Sequence, residues 1–119
     1  LAALRTFSEQ SVPGRRIAVL GDMLELGDTA REAHRQAGEA AARLGIDVLC
    51  CVGEYAGEMA SAARVEGLSQ AAAFASKGEL DAFLAGLVRP GDAVWFKASR
   101  GVKLEESVRA LYRALEQTT

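Results

Sequence analysis

No apolar run in the sequence approaches the roughly 20 residues that cross a bilayer as a helix, so a transmembrane helix is excluded. The opening Leu1-Ala2-Ala3-Leu4 runs straight into Arg5 and is not expected to act as a signal peptide. Cysteine is confined to the adjacent Cys50 and Cys51, inside an apolar stretch. A disulfide framework is therefore excluded, and an intracellular, cytoplasmic protein is expected. Those two thiols and a single histidine, His34, do not supply a structural zinc site. They do not supply a Ser-His-Asp or Cys-His arrangement for nucleophilic catalysis either. Charge of neither sign dominates: 14 basic against 16 acidic residues, net −2, gives no polycationic surface for nucleic acid. Aromatic residues are scarce at 6%, so the core must be built from smaller side chains.

What is present suffices for one domain. A chain of 119 residues can bury about two thirds of its unfolded surface. Half of the residues are hydrophobic and 23 are alanine, which predicts a Leu-, Val- and Ala-rich core with closely packed helices. Arg16-Ile17-Ala18-Val19-Leu20 reads as a strand entered through a Pro13-Gly14 turn. A helix pattern follows, with Ala30, Ala33, Ala37, Ala40, Ala41 and Leu44 on one face. Thr29 and Glu32 have capping-box spacing at its start, and Gly45 stands where a C-cap glycine belongs. The run from Asp47 to Val52 is continuously apolar after its first residue, as in strands covered on both faces. Ala56, Met59, Ala60 and Ala63 form the stripe of a weaker helix, and Ala71 to Ala75 a short strand. Ser76 and Glu79 cap a helix carrying Leu80, Phe83, Leu84 and Leu87. A Pro90-Gly91-Asp92 turn leads into the strand Ala93 to Lys97. The last helix places Leu104, Val108, Leu111, Tyr112 and Leu115 on one face. This alternation predicts an α/β fold, a mostly parallel sheet with helices on both faces. Leu1 to about Phe7 reads as the end of a helix, so the chain is expected to be a piece of something longer.

Ligands of open α/β sheets bind beyond the carboxyl ends of the strands. After the first strand comes an acidic loop, Gly21 to Asp28. It is neither a G-x-G-x-x-G fingerprint nor a P-loop, and its Asp22 and Glu25 would repel phosphate. Those acids suit an ammonium group, a ribose hydroxyl or a metal-bound water; the simpler reading is that they are solvated or satisfy helix amides. After the fourth strand, Lys97, Arg100 and Lys103 cluster beside Ser99 just ahead of a helix start, a setting that favours a carboxylate. The simpler reading there is a solvated basic turn. An acidic and a basic loop at one sheet edge would suit a zwitterion. His34 alone reads as structural or solvated. Trp95, Phe96 and the two cysteines read as core.

The run Arg16 to Gly27, with Gly21-Asp22-Met23-Leu24-Glu25-Leu26-Gly27 at its end and His34 after it, resembles the C-terminal domain of the Mur ligases. Lys97-Ala98-Ser99-Arg100-Gly101-Val102-Lys103-Leu104-Glu105 is similar to that family's Lys-Gly-Ser-Arg segment leading into a final helix, with Ala98 where the family usually has glycine. The likeness runs from about Leu1 to Leu115. It implies a Rossmann-like three-layer α/β/α sandwich with strand order 93–97, 17–21, 48–52, 71–74. It implies an ATP-dependent synthesis of an amide bond, joining D-alanyl-D-alanine to UDP-N-acetylmuramoyl-tripeptide through an acyl phosphate. ATP and Mg²⁺ would be held mainly by a central domain, and the UDP-sugar by an N-terminal domain. Neither lies in these 119 residues, nor does the Asp-x-Tyr-Asn-Ala-Asn-Pro segment that ends a preceding strand. Residues 1–119 are thus expected to be a single domain, inactive alone and prone to self-association through the edge strand 93–97. The substrate-binding residues implied are Asp22, Glu25, Lys97, Ser99 and Arg100, supported by Gly21, Met23, Leu24, His34 and Ala98.

Two other classes compete. A receiver-like signalling module needs a phospho-acceptor Asp at the end of a middle strand, where this chain has Val52-Gly53-Glu54. A free-standing nucleotide-binding module needs a phosphate-cradling glycine loop, and none is present.

Overall fold

A computed structural model describes residues 2–23, 27–98 and 104–118. The four apolar runs become β1 (Arg16–Leu20), β2 (Val48–Val52), β3 (Ala71–Phe74) and β4 (Ala93–Lys97), all parallel, in the order β3-β2-β1-β4. This is the order expected from the resemblance, with β1 starting one residue earlier. β1 lies centrally: Ile17 is level with Val48 on one side and with Val94 on the other.

Side chains alternate across the sheet with the two-residue period of a strand. Ala18, Leu20, Leu49 and Cys51 face a layer made by α1 (Ala2–Glu9), α2 (Ala30–Arg43) and α3 (Ala56–Val65). Ile17, Val19, Val48, Cys50 and Val52 face the opposite layer, α4 (Lys77–Leu87) and α5 (Glu105–Thr118). Both faces are covered, which is why β2 carries no polar residue. Burying Leu80 and Leu84 completely against the second face contributes roughly 1.5–3 kcal/mol each. The alanines serve close helix packing: Ala37, Ala41, Ala60 and Ala63 are all buried in the first layer. Gly38 is tighter still, since a Cβ there would fall 2.1 Å from the Met59 carbonyl oxygen.

The helix ends follow the sequence in two of three cases. Gly45, at φ 79°, ends α2, with Gly45 N–H donating to Ala42 O and Ile46 N–H to Ala41 O. Ser76 Oγ accepts from Glu79 N–H at 3.2 Å, and the Glu79 carboxylate reaches back to Ala75 N–H rather than to the N-cap residue itself. Thr29 differs from expectation. A 3₁₀ turn, Gly27–Thr29, feeds α2, so Thr29 has helical dihedrals and makes no side-chain cap bond. Tyr112 also differs: it is 64% exposed, whereas Leu104, just ahead of α5, and Leu111 within it are buried. Trp95 lies on the α1 face of β4, its ring stacked on Phe7 at 6.0 Å between centroids. Among the described residues no helix is long and apolar enough to cross a membrane.

Candidate functional site

Strand order reverses between β1 and β4. The chain leaves β1 through α2 toward β2 and β3, and returns to the far side of β1 for β4. The ladder continues one step past the strand ends, where Gly21 N–H donates to Lys97 O at 2.9 Å. The acidic and basic loops therefore leave the sheet side by side, at the position where open α/β sheets bind ligands.

The Asp22 carboxylate turns the other way, toward β2. It accepts from Glu54 N–H at 3.0 Å and from Tyr55 N–H at 3.2 Å, so it satisfies two amides ahead of α3. Negative charge near a helix start is favourable in its own right. Gly53 makes this possible. Its φ of 117° is available to glycine, and a Cβ there would lie 2.5 Å from the Asp22 carboxyl carbon. Of the two readings open for Asp22, satisfying helix amides is the one seen, and among the described residues it forms no ion pair with Lys97.

His34 is fully buried. Its Nδ1–H donates to Ala30 O, which leaves Nε2 to accept from Met23 N–H at 2.9 Å. The ring stacks on Tyr55 at 4.4 Å between centroids, and the Arg31 guanidinium lies 5.8 Å from the Tyr55 ring centre. His34 and Asp22 thus fasten consecutive residues of the first loop: one holds the Met23 amide, the other anchors its own residue to the β2–α3 turn. Met23 is partly buried against the first core layer. Lys97 is exposed at the end of β4. Ala98 packs against the α4–α5 core, so its methyl group is accommodated by apolar neighbours. Leu24, Glu25, Ser99 and Arg100 lie outside the described residues.

Gly53 and Tyr55 escape a reading based on charge and motif. A lone glycine after an apolar run gave the only signal for Gly53; nothing in the spacing marked Tyr55. Burial pushes the Cys50 and Cys51 thiols up to about 12, which makes them core groups rather than nucleophiles. Among the described residues no three His, Cys, Asp or Glu side chains converge to hold a metal ion. The receiver reading fails sterically as well as by sequence: Gly53, at the end of the middle strand β2, has no room for a side chain beside Asp22.

The comparisons with known proteins agree with this geometry. The family described as Mur ligase, glutamate ligase domain, matches residues 1–100. The chain is 37% identical over 112 residues to UDP-N-acetylmuramoyl-tripeptide–D-alanyl-D-alanine ligase of Escherichia coli K12, covering 92% of this chain and 23% of that protein. The ligase of the same name from Bacillus subtilis is 34% identical over 99 residues, covering 82% of this chain and 22% of its own length. Among solved structures, MurF from Acinetobacter baumannii superposes with a TM-score of 0.81 at 28% identity, over 92% of this chain and 24% of that one. The MurF ligase of Thermotoga maritima, solved in complex with ADP, gives 0.75 at 26% identity, over 98% and 26%. The chain thus spans about a quarter of the length of the relatives it matches. With the family matched over most of its residues, this chain belongs to the Mur ligases, in their glutamate ligase domain.

Proposed function

We propose that the chain is the substrate-side, C-terminal domain of the ATP-dependent ligase that adds D-alanyl-D-alanine to UDP-N-acetylmuramoyl-tripeptide in the cytoplasm. The observation that carries this reading is the adjacency of the Gly21 and Lys97 strand ends at the switch point. The names of the relatives point the same way. In this reading the tripeptide carboxylate is phosphorylated by ATP in a central domain, together with Mg²⁺. The dipeptide amine then attacks the acyl phosphate; the new C–N bond forms as phosphate leaves and the amine gives up a proton. The task of this domain is to hold the dipeptide for that attack. Lys97, with Ser99 and Arg100 after it, supplies positive charge for the dipeptide carboxylate. The acids of the first loop, Asp22 and Glu25, are assigned to the side of the amine. His34 positions Met23, and Asp22 fixes the loop base. Alone, the chain performs neither ATP hydrolysis nor ligation, and its edge strand β4 is the surface through which isolated copies would associate.

Steady-state kinetics on the full-length enzyme test the assignment. Lys97→Ala should raise KM for D-alanyl-D-alanine about tenfold or more, as expected for a lost charge-assisted contact, with KM for ATP little changed. An ATP defect with an unchanged dipeptide KM would remove Lys97 from the dipeptide site.

A further inference from the structure

Gly38 lets α2 approach the Met59 carbonyl of α3 with no room for a methyl group between them. Both helices run back across the same face of a parallel sheet from neighbouring strands, so their starts lie together. One turn before that contact stand His34 on α2 and Tyr55 at the head of α3. The close approach brings their rings face to face, 4.4 Å between centroids and 22° apart in plane. The Arg31 guanidinium lies over the Tyr55 ring, 5.8 Å from its centre, and pairs with Glu58 of α3.

Tyr55 meets both fastenings of the first loop. Its backbone N–H donates to Asp22 Oδ1 at 3.2 Å. Its ring covers His34, whose Nε2 accepts from Met23 N–H at 2.9 Å. A backbone amide only donates, so Nε2 carries the lone pair and Nδ1 the proton that goes to Ala30 O. The imidazole holds Met23 only in this tautomer and at this ring angle. His34 is fully buried under the half-buried Tyr55, so water does not compete for Nε2. The ring makes the contacts to His34 and Arg31, and the backbone makes the contact to Asp22. A change of the Tyr55 side chain therefore leaves the Asp22 anchor in place and acts on His34 alone.

We propose that Tyr55 is a positioning residue of the ligase reaction: its ring locks the His34 imidazole in the orientation that holds Met23, and so fixes the first loop for the dipeptide. It acts through His34 rather than on the substrate. The proposal rests on the reading that this loop stands at the D-alanyl-D-alanine site, and adds which residue outside the loop sets its shape.

The test uses the full-length ligase with Tyr55→Phe and Tyr55→Leu, followed by amide hydrogen exchange and steady-state kinetics. Phenylalanine keeps the ring; leucine keeps apolar bulk without a flat face. In Tyr55→Leu the Met23 amide should exchange about fivefold faster, the scale of one lost aromatic stack, while the amides of β1 keep their wild-type rates. KM for D-alanyl-D-alanine should rise about fivefold, with kcat changed less and KM for ATP unchanged. Tyr55→Phe should match wild type in each measurement. Unchanged Met23 exchange in Tyr55→Leu would overturn the lock. An equal rise in Tyr55→Phe would overturn it too, since the phenol oxygen and not the ring would then be responsible. So would loss of protection in β1 alongside Met23, because the ring would then support the fold as a whole. Faster Met23 exchange with an unchanged dipeptide KM would leave the contact standing but remove this loop from the dipeptide site, and with it the proposed role in the reaction.

Discussion

The two ends of the sheet use charge in opposite ways. At the amino end, Asp92 lies just ahead of β4 and Arg15 just ahead of β1. The Asp92 carboxylate accepts from Arg15 N–H at 2.9 Å, Arg89 N–H at 2.9 Å and Arg15 Nη2 at 2.8 Å, and Arg15 Nη2 also donates to Leu87 O. Gly14 N–H donates to Gly91 O, and a Cβ on Gly14 would fall 2.6 Å from the Asp92 carboxylate. Asp47 repeats the device ahead of β2 by accepting from Arg16 N–H at 2.8 Å. These acids are closed off by the chain itself. At the carboxyl end Asp22 is also engaged with backbone, but Lys97 has no acidic partner among the described residues. The lesson is that sheet geometry alone does not make a site. One end has its charges matched by the chain itself, and at the other, among the described residues, Lys97 is left without an acid.

The largest effect expected from this contrast is at Asp92. Its side chain is 4% exposed, and removing it strands the Arg15 and Arg89 amides together with a guanidinium. Asp92→Ala should destabilise by on the order of 3 kcal/mol, read from the urea midpoint at constant slope. The effect has a pH signature. The hydrogen bond from Arg15, helped by the Arg15 and Arg89 amides, holds the Asp92 carboxyl down at about 2 against its burial. A folded-state value below the ordinary carboxylate value of about 3.9 means stability is present above that value and lost as pH falls toward 2. The gap between wild type and variant should therefore be constant from neutral pH to about 4 and shrink below it. A gap that persisted undiminished at pH 2 would break the assignment.

Next in size is Gly53, where conformation and contact combine. Gly53→Ala places a methyl group on the Asp22 carboxylate and forces φ 117° on a residue with a Cβ, together about 2–3 kcal/mol. Asp22→Ala alone removes two amide acceptors ahead of α3 and should cost about 1 kcal/mol. With Asp22 already truncated the clash is gone, so Gly53→Ala should then cost only the backbone strain, about 1 kcal/mol. Strict additivity in this double-mutant cycle would show that the two residues do not share the turn.

These residues also mark how far the sequence was legible. The strands were readable because β2 is apolar throughout and the other three lie between turn residues. Ser76 and Gly45 signalled helix ends because each cap needs one local residue type. The strand order was not in the periodicity; it came from the likeness of two loops to a known family. Asp22 was readable as an acid at a strand end, but its direction depends on Gly53 adopting a positive φ 31 residues away in sequence, which no local pattern encodes. His34 read as structural or solvated, yet its spacing from Ala30, Ala37 and Ala41 puts it on the buried face of α2, and it is tolerated there because both ring nitrogens find backbone partners and Tyr55 covers the ring. Tyr112 fitted the spacing of the α5 stripe but lies at its margin, where helical spacing alone does not tell edge from centre.

The smallest expected effect sharpens the contrast most. Lys97→Met keeps most of the aliphatic stem and removes only the ammonium. That group is exposed, and among the described residues no acid faces it, so the folded chain loses no charge pair that is seen. Stability should change by no more than about 0.5 kcal/mol, as at ordinary surface positions. The β1–β4 ladder should be intact, because Lys97 contributes to it through its backbone carbonyl, which accepts from Gly21 N–H. Thermal or urea unfolding of Lys97→Met beside Asp92→Ala makes the comparison direct. A loss at Lys97 comparable to that at Asp92 would mean that the carboxyl end, too, has its charges matched internally, and the cation assigned to the dipeptide would then belong to the fold.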